Sequence, residues 1–184
     1  MEDFGMERKV RLYGDPVLRQ KAKPILDFDE LLRALIDEMT QSMYRYDGTG
    51  LAAPQVGIGL RLMLVDIQDG SGPTPMINPE LIEASEETVK GEEGCLSFPD
   101  IYEDIERPKW VCVRYQDGSG KEWEKRLEGF GARVISHEMD HLDGVLMIDH
   151  LSHLKRKMLR KRLDIIREKA REIIQSLESG IPEA

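Results

Sequence analysis

Apolar residues first settle into a regular pattern between Leu31 and Met43. Leu31, Leu32, Leu35, Ile36, Met39 and Met43 recur at intervals of three and four, the spacing of one face of an α-helix. Asp27 with Glu30 resembles a capping box, and Asp47-Gly48-Thr49-Gly50 supplies a stop. The pattern predicts a helix from about Phe28 to Tyr46, packed on a core. Leu62-Met63-Leu64-Val65-Asp66 is then a short unbroken apolar run, which reads as a buried strand. Gly70 to Pro75 is a loop, and Met76 to Pro79 begins another extended segment. Trp110 to Tyr115 alternates, Asp117-Gly118 turns, and Lys121 to Leu127 completes a β-hairpin. Cys112 lies within it as a small buried hydrophobe. Helical spacing returns from Gly129 to His141. A last amphipathic helix runs from about Ser152 to Ser176, with Leu154, Met158, Leu159, Leu163, Ile166 and Ile173 as its apolar members. Strands followed by helices over short connections predict an α+β fold.

Composition narrows the setting. A chain of 184 residues with 40% hydrophobic and 33% charged residues is expected to form one globular domain, residues 1–184. No apolar run reaches the roughly 20 residues of a membrane span. The first ten residues are charged and lack an apolar stretch, so a cytoplasmic protein is expected. The net charge of −9 disfavours sequence-specific nucleic-acid binding. It is unevenly spread. From His153 to Glu172 nine Lys/Arg face three Asp/Glu, which leaves the rest of the chain at −15. An acidic body with a basic tail suggests a local anionic contact, although a solvated helix face is the simpler reading. Two cysteines, Cys95 and Cys112, are too few for a disulfide framework.

Candidate chemistry begins in the Gly129–His141 segment. His137-Glu138-Met139-Asp140-His141 matches H-E-x-x-H. Residues four apart share a helix face, so both imidazoles can reach one divalent ion. Glu138 is left to move protons. A catalytic site of this kind needs a third protein ligand. Downstream, Met147 stands where a metzincin would place another histidine; His150 and His153 fall at other spacings, and Glu168 and Glu172 lie on the amphipathic last helix. Upstream, Cys95 in Glu93-Gly94-Cys95-Leu96-Ser97 is the better candidate, its alternative being an inert buried thiol. Gly48-Thr49-Gly50-Leu51-Ala52-Ala53-Pro54-Gln55 lets a backbone approach closely, and Pro54 fixes the chain before an amide able to donate to an oxyanion. Alone, this stretch reads first as a structural loop.

Taken together and in order, GTGLAAPQ, EGCLS and HEMDHLDG resemble the three signature motifs of the peptide deformylase family. Gly14-Asp15-Pro16-Val17-Leu18-Arg19 is similar to the family's N-terminal segment. The resemblance spans about Val10 to Leu151. It implies antiparallel β-sheets packed around a central metal-binding helix, with an N-terminal helix and a long C-terminal one. It implies a hydrolase of protein biosynthesis that removes the formyl group from N-terminal formylmethionine of new polypeptides and releases formate. By this resemblance Cys95, His137 and His141 hold one divalent ion per chain, Fe(II) first, with Zn(II), Ni(II) or Co(II) as substitutes. Glu138 is general base and then acid toward a metal-bound water. The backbone N–H of Leu96 and the side chain of Gln55 stabilise the oxyanion. Gly50, Leu51, Glu93, Gly94, Phe130, Arg133 and Val134 contact substrate. Glu93 pairs with Arg107 to brace the cysteine loop. The basic helix at about 152–176 resembles a segment by which some members dock on the ribosome. Two departures are Gly129-Phe130-Gly131, where bulkier aliphatics are usual, and Ser136, where glutamine is frequent. Two other readings are open: a zinc endopeptidase, and a non-catalytic metal- or ribosome-binding protein on this scaffold.

Overall fold

A computed structural model describes residues 8–179 of the chain. Helix α1 spans Glu30–Arg45 and is followed by strands β1 (Gly50–Ala52), β2 (Leu62–Val65), β3 (Thr74–Ala84), β4 (Thr88–Cys95), β5 (Phe98–Pro108), β6 (Trp110–Gln116) and β7 (Glu122–Glu128). Helix α2 (Gly129–Leu142) and helix α3 (His153–Ser179) close the order. Five strands form one antiparallel sheet in the order β1-β2-β3-β6-β7, while β4 and β5 form a separate antiparallel hairpin. This is the α+β arrangement expected, with α2 in contact with both the large sheet and β5.

The apolar run in β2 is explained by what lies on its two faces. Met63 and Val65 pack with Ile135, Met139 and Leu142 of α2. Leu62 and Leu64 pack with Leu35, Met39 and Met43 of α1. A strand covered on both sides needs no polar alternation. A third cluster joins Phe98, Ile101 and Ile105 of β5 to Leu159, Leu163 and Ile166 of α3. The hairpin bearing Cys95 is therefore gripped by α3 on one side and by α2 on the other.

Several local expectations shift. Helix α1 is capped by Asp29, whose carboxylate accepts from the Leu32 N–H at 3.0 Å, and not by Asp27. The buried face is Leu32, Leu35, Met39 and Met43, so Leu31 is turned to solvent at 79% exposure and Ile36 is only partly covered. In β6 the buried positions are Val111, Val113 and Tyr115. Cys112 falls on the opposite face, half-buried, with its Sγ 3.6 Å from Glu124 Oε1, so it is not a core residue. Helix α3 presents Leu159, Leu163, Ile166 and Ala170 inward, whereas Leu154 and Met158 are 67% and 76% exposed. Both lie on the side of α3 opposite its buried residues, so apolar spacing there does not mean burial. The β4–β5 hairpin has no precedent in the hydrophobic pattern, because the one buried residue of β4 is the carboxylate of Glu93.

Candidate metal centre and its cleft

Helix α2 carries His137 and His141 on its inner face, one turn apart, with ring centroids 5.0 Å apart. Cys95 ends β4 at the tight turn into β5, where it pairs with Phe98 across Leu96 and Ser97. The three side chains offer ligand atoms all within 4.8 Å of one another, the single such cluster among the described residues. The Cys95 Sγ lies 3.2 Å from His141 Nε2. Burial opposes ionisation of this thiol, but the two imidazoles outweigh it and bring its pKa down to about 5. A thiolate beside two imidazoles is a donor set suited to a borderline-soft divalent ion. The residues present therefore fit a single such ion. Of the downstream candidates, Met147 is buried in the core and His150 is held by Asp140 at 2.7 Å, and neither joins this cluster.

The second ring of contacts is charged and almost fully enclosed. Glu93 accepts from Arg107 Nε at 2.9 Å and Arg107 Nη2 at 3.0 Å, the pairing expected from the resemblance. Its Oε2 also faces His137 Nδ1 at 3.0 Å. Burial raises the pKa of this carboxyl, but the His137 and Arg107 partners prevail and lower it to about 2. With Nδ1 of His137 occupied in this way, the other ring nitrogen is left for the ligand cluster. Arg107 reaches on to Asp140 at 2.6 Å, and Asp140 to His150, so the network runs from the cluster to the surface. Sequence reasoning missed Asp140 and His150. Asp140 lies inside the H-E-x-x-H motif, but only the fold shows that it turns away toward Arg107.

Glu138 lies beside the ligand cluster, 3% exposed, and its Oε2 has no hydrogen-bond partner among the described residues. Burial pushes its carboxyl up to about 7 against the lowering influence of both histidines. A side chain on Gly50 would run into the Glu138 carboxylate, so only glycine leaves that approach open. Gln55 is held by the short turn Ala53–Val56. Its Oε1 accepts from the Ala52 N–H at 2.8 Å, which fixes the amide so that Nε2 points to Cys95 Sγ at 3.7 Å and Ser97 Oγ at 3.5 Å.

These groups open onto a cleft of about 570 Å³ whose walls include Gly50, Gln55, Gly94, Leu96, Phe130, Val134 and Glu138. Phe130 stands half exposed at its mouth and Val134 is buried in its wall. Two expected contacts differ in kind. The Leu51 side chain is fully buried in the core with α1, and Leu51 is not among the residues lining the cleft. Arg133 borders the cleft, but its guanidinium is committed to the β4–β5 hairpin.

Comparison with known proteins agrees with this geometry. The family model described as polypeptide deformylase matches residues 7–157. A peptide deformylase of Thermotoga neapolitana is 56% identical over 163 residues, covering 89% of this chain and 98% of its own. The crystal structure of the peptide deformylase from Thermotoga maritima superposes with a TM-score of 0.77 at 52% identity, covering 80% of this chain and 99% of that one. A plant peptide deformylase structure reaches a TM-score of 0.85 at 36% identity, covering 100% and 98%. Motifs, fold and overall sequence thus agree over most of the length, and the chain belongs to the polypeptide deformylase family of enzymes.

Proposed function

We propose that the whole chain acts as one catalytic domain that hydrolyses the N-formyl amide of formylmethionyl N-termini, with Cys95, His137 and His141 holding one divalent ion, Fe(II) in the cell. The observation that carries this reading is the convergence of a thiol and two imidazoles within 4.8 Å at a cleft also lined by Glu138 and Gln55. Bound there, the ion would polarise the formyl carbonyl and acidify a water molecule.

The chain's own residues supply the rest. Glu138 takes a proton from the attacking water as its oxygen bonds to the formyl carbon. It returns that proton to the amine nitrogen as the C–N bond breaks and formate leaves. The unpartnered Oε2 of Glu138 is the atom available for this exchange. Gln55 Nε2 and the Leu96 N–H donate to the carbonyl oxygen as it gains charge. The backbone of Gly50 and Leu51 lies in β1, an edge strand of the large sheet, and can pair with an extended peptide. Phe130 and Val134 form the apolar wall for the methionine side chain. The basic helix α3 gives the acidic body a contact for the ribosome. No helix among the described residues is long and apolar enough to cross a membrane.

The decisive experiment is formate release from a formyl-Met-Ala peptide by protein prepared anaerobically and analysed for metal. Release should disappear with chelator and in Glu138→Ala, which keeps its metal. No release from wild-type protein carrying one ion per chain would overturn the proposal.

A further inference from the structure

The two arms of the ligand cluster come from separate elements. Cys95 sits at the end of the β4–β5 hairpin, and His137 and His141 sit on α2. Arg133, one turn before His137 on α2, bridges the two. Its Nη1 donates to Gly91 O at 3.1 Å, Ile105 O at 2.9 Å and Glu93 Oε1 at 2.8 Å, and its Nη2 donates to Val89 O at 2.8 Å. Val89, Gly91 and Glu93 belong to β4, and Ile105 belongs to β5 directly opposite Gly91. A single guanidinium therefore holds both strands of the hairpin. The planar fork of arginine can serve this many acceptors at once, which a lysine ammonium cannot. Gly91 is part of the seat: a methyl group added there would stand 2.8 Å from Arg133 Nη2.

The contact to Glu93 reaches the cluster itself. Arg107 Nε and Arg133 Nη1 both occupy Glu93 Oε1, which leaves Oε2 to Arg107 Nη2 and His137 Nδ1. This arrangement fixes the carboxylate orientation that in turn fixes the His137 ring.

We infer that Arg133 is a positioning residue, a clamp that ties the cysteine arm of the metal site to its histidine arm and sets the orientation of Glu93 behind His137. The inference rests on the metal-site reading above. It gives Arg133 a different part from that of a pocket wall, since the wall is its aliphatic stem and the clamp is its head group.

Three variants test it: Arg133→Met, which keeps the stem; Arg133→Lys, which keeps the charge; and Gly91→Ala, which displaces the fork without removing it. In metal-free protein, amide hydrogen exchange should accelerate in β4 and β5 for all three variants and stay at wild-type rates in β6 and β7. Zinc affinity, measured by chelator competition, should fall about 10- to 100-fold in Arg133→Met, the range for a supporting contact behind a ligand. Arg133→Lys should not restore it. In fully loaded enzyme kcat should fall while KM for a formyl-Met peptide holds. Wild-type zinc affinity and exchange in Arg133→Met, with only KM raised, would overturn the clamp in favour of a pocket wall. Exchange accelerated equally in both hairpins would overturn it in favour of a general stabilising role. If the wild-type chain binds no zinc, the metal-site reading fails, and the exchange rates still decide whether Arg133 holds the hairpin to α2.

Discussion

The β4–β5 and β6–β7 hairpins are both antiparallel, both dense in charge, and each carries one of the two cysteines. They use these residues differently. In β4–β5 the ion pair of Glu93 with Arg107 is enclosed, the two side chains being 4% and 6% exposed. In β6–β7 the pairs of Arg114 with Glu122 and Glu124 lie open to solvent. Each hairpin has a carboxyl at about 2. Glu93 is lowered by His137 and Arg107 against the opposing effect of burial, whereas Asp117 is lowered by hydrogen bonds from Ser119 and Trp123 at an exposed turn. The same protonation behaviour therefore has different structural weight. Buried charges must remain paired or the fold pays their desolvation, while exposed ones retain water as a partner. The hairpin with the enclosed network is the one that carries Cys95 of the proposed metal site.

The largest contrast should be between the cysteines. Cys95→Ala should lose stoichiometric metal and formate release, while Cys112→Ala should keep both and change stability by no more than about 0.5 kcal/mol. Metal analysis and a thermal melt of each variant decide this. Equal metal content in the two would remove the distinction between the hairpins. Next in size, Arg107→Ala leaves Glu93 to Arg133 and His137 and Asp140 to His150, and should destabilise the fold by up to roughly 3–5 kcal/mol, read from denaturant midpoints. Arg114→Ala on the open hairpin should cost less than about 1 kcal/mol.

Thiol chemistry sharpens the comparison further. Cys95 ionises at about 5, whereas burial and the neighbouring Glu124 push Cys112 above the ordinary thiol value. Iodoacetamide should alkylate Cys95 of metal-free protein at a rate that is level at neutral pH and falls as the pH drops below about 5. Cys112 should react only in the alkaline range, and added zinc should protect Cys95 alone. Reaction of Cys112 first at pH 6 would contradict the assignment.

The smallest effect belongs to the β6–β7 turn. Asp117 accepts from the Ser119 and Lys121 N–H groups at 2.9 and 3.1 Å and from Trp123 Nε1 at 2.7 Å. Its folded pKa is depressed, so its stabilising contribution is present above the ordinary carboxylate range and is lost as pH falls through about 2. The melting-temperature deficit of Asp117→Ala should therefore be visible at neutral pH and vanish near pH 2. A deficit independent of pH would mean that the charge of Asp117 plays no part.

Local periodicity was readable where one face of an element meets apolar neighbours. The helix around Leu35 and Met39 and the run Leu62 to Val65 carried their burial in their spacing, whereas the alternation from Trp110 to Tyr115 marked a strand without showing that Cys112 lies on its outer face. It failed where burial is polar or where apolar residues stay wet. The β4 strand buries Glu93 and offered no hydrophobic signal, and Leu31, Leu154 and Met158 matched a helical stripe yet face solvent. The candidate chemistry was more legible than the strands that bring it together, because residue types and the four-residue spacing of His137 and His141 are properties of the chain itself.

The sequence by itself placed His137 and His141 on one helix face, since an α-helix necessarily stacks residues four apart, and it offered Cys95 as a candidate third donor. It could not determine how a cysteine 46 residues from His141 comes to lie 3.2 Å from it. That approach depends on a separate hairpin pressed between α2 and α3. Nor could it say which arginine serves which carboxylate. Arg107, Arg133, Glu93, Asp140 and His150 become one network only when their strands and helix are packed together, because charge pairing between distant segments is decided by where the backbone places them and how little water remains between them.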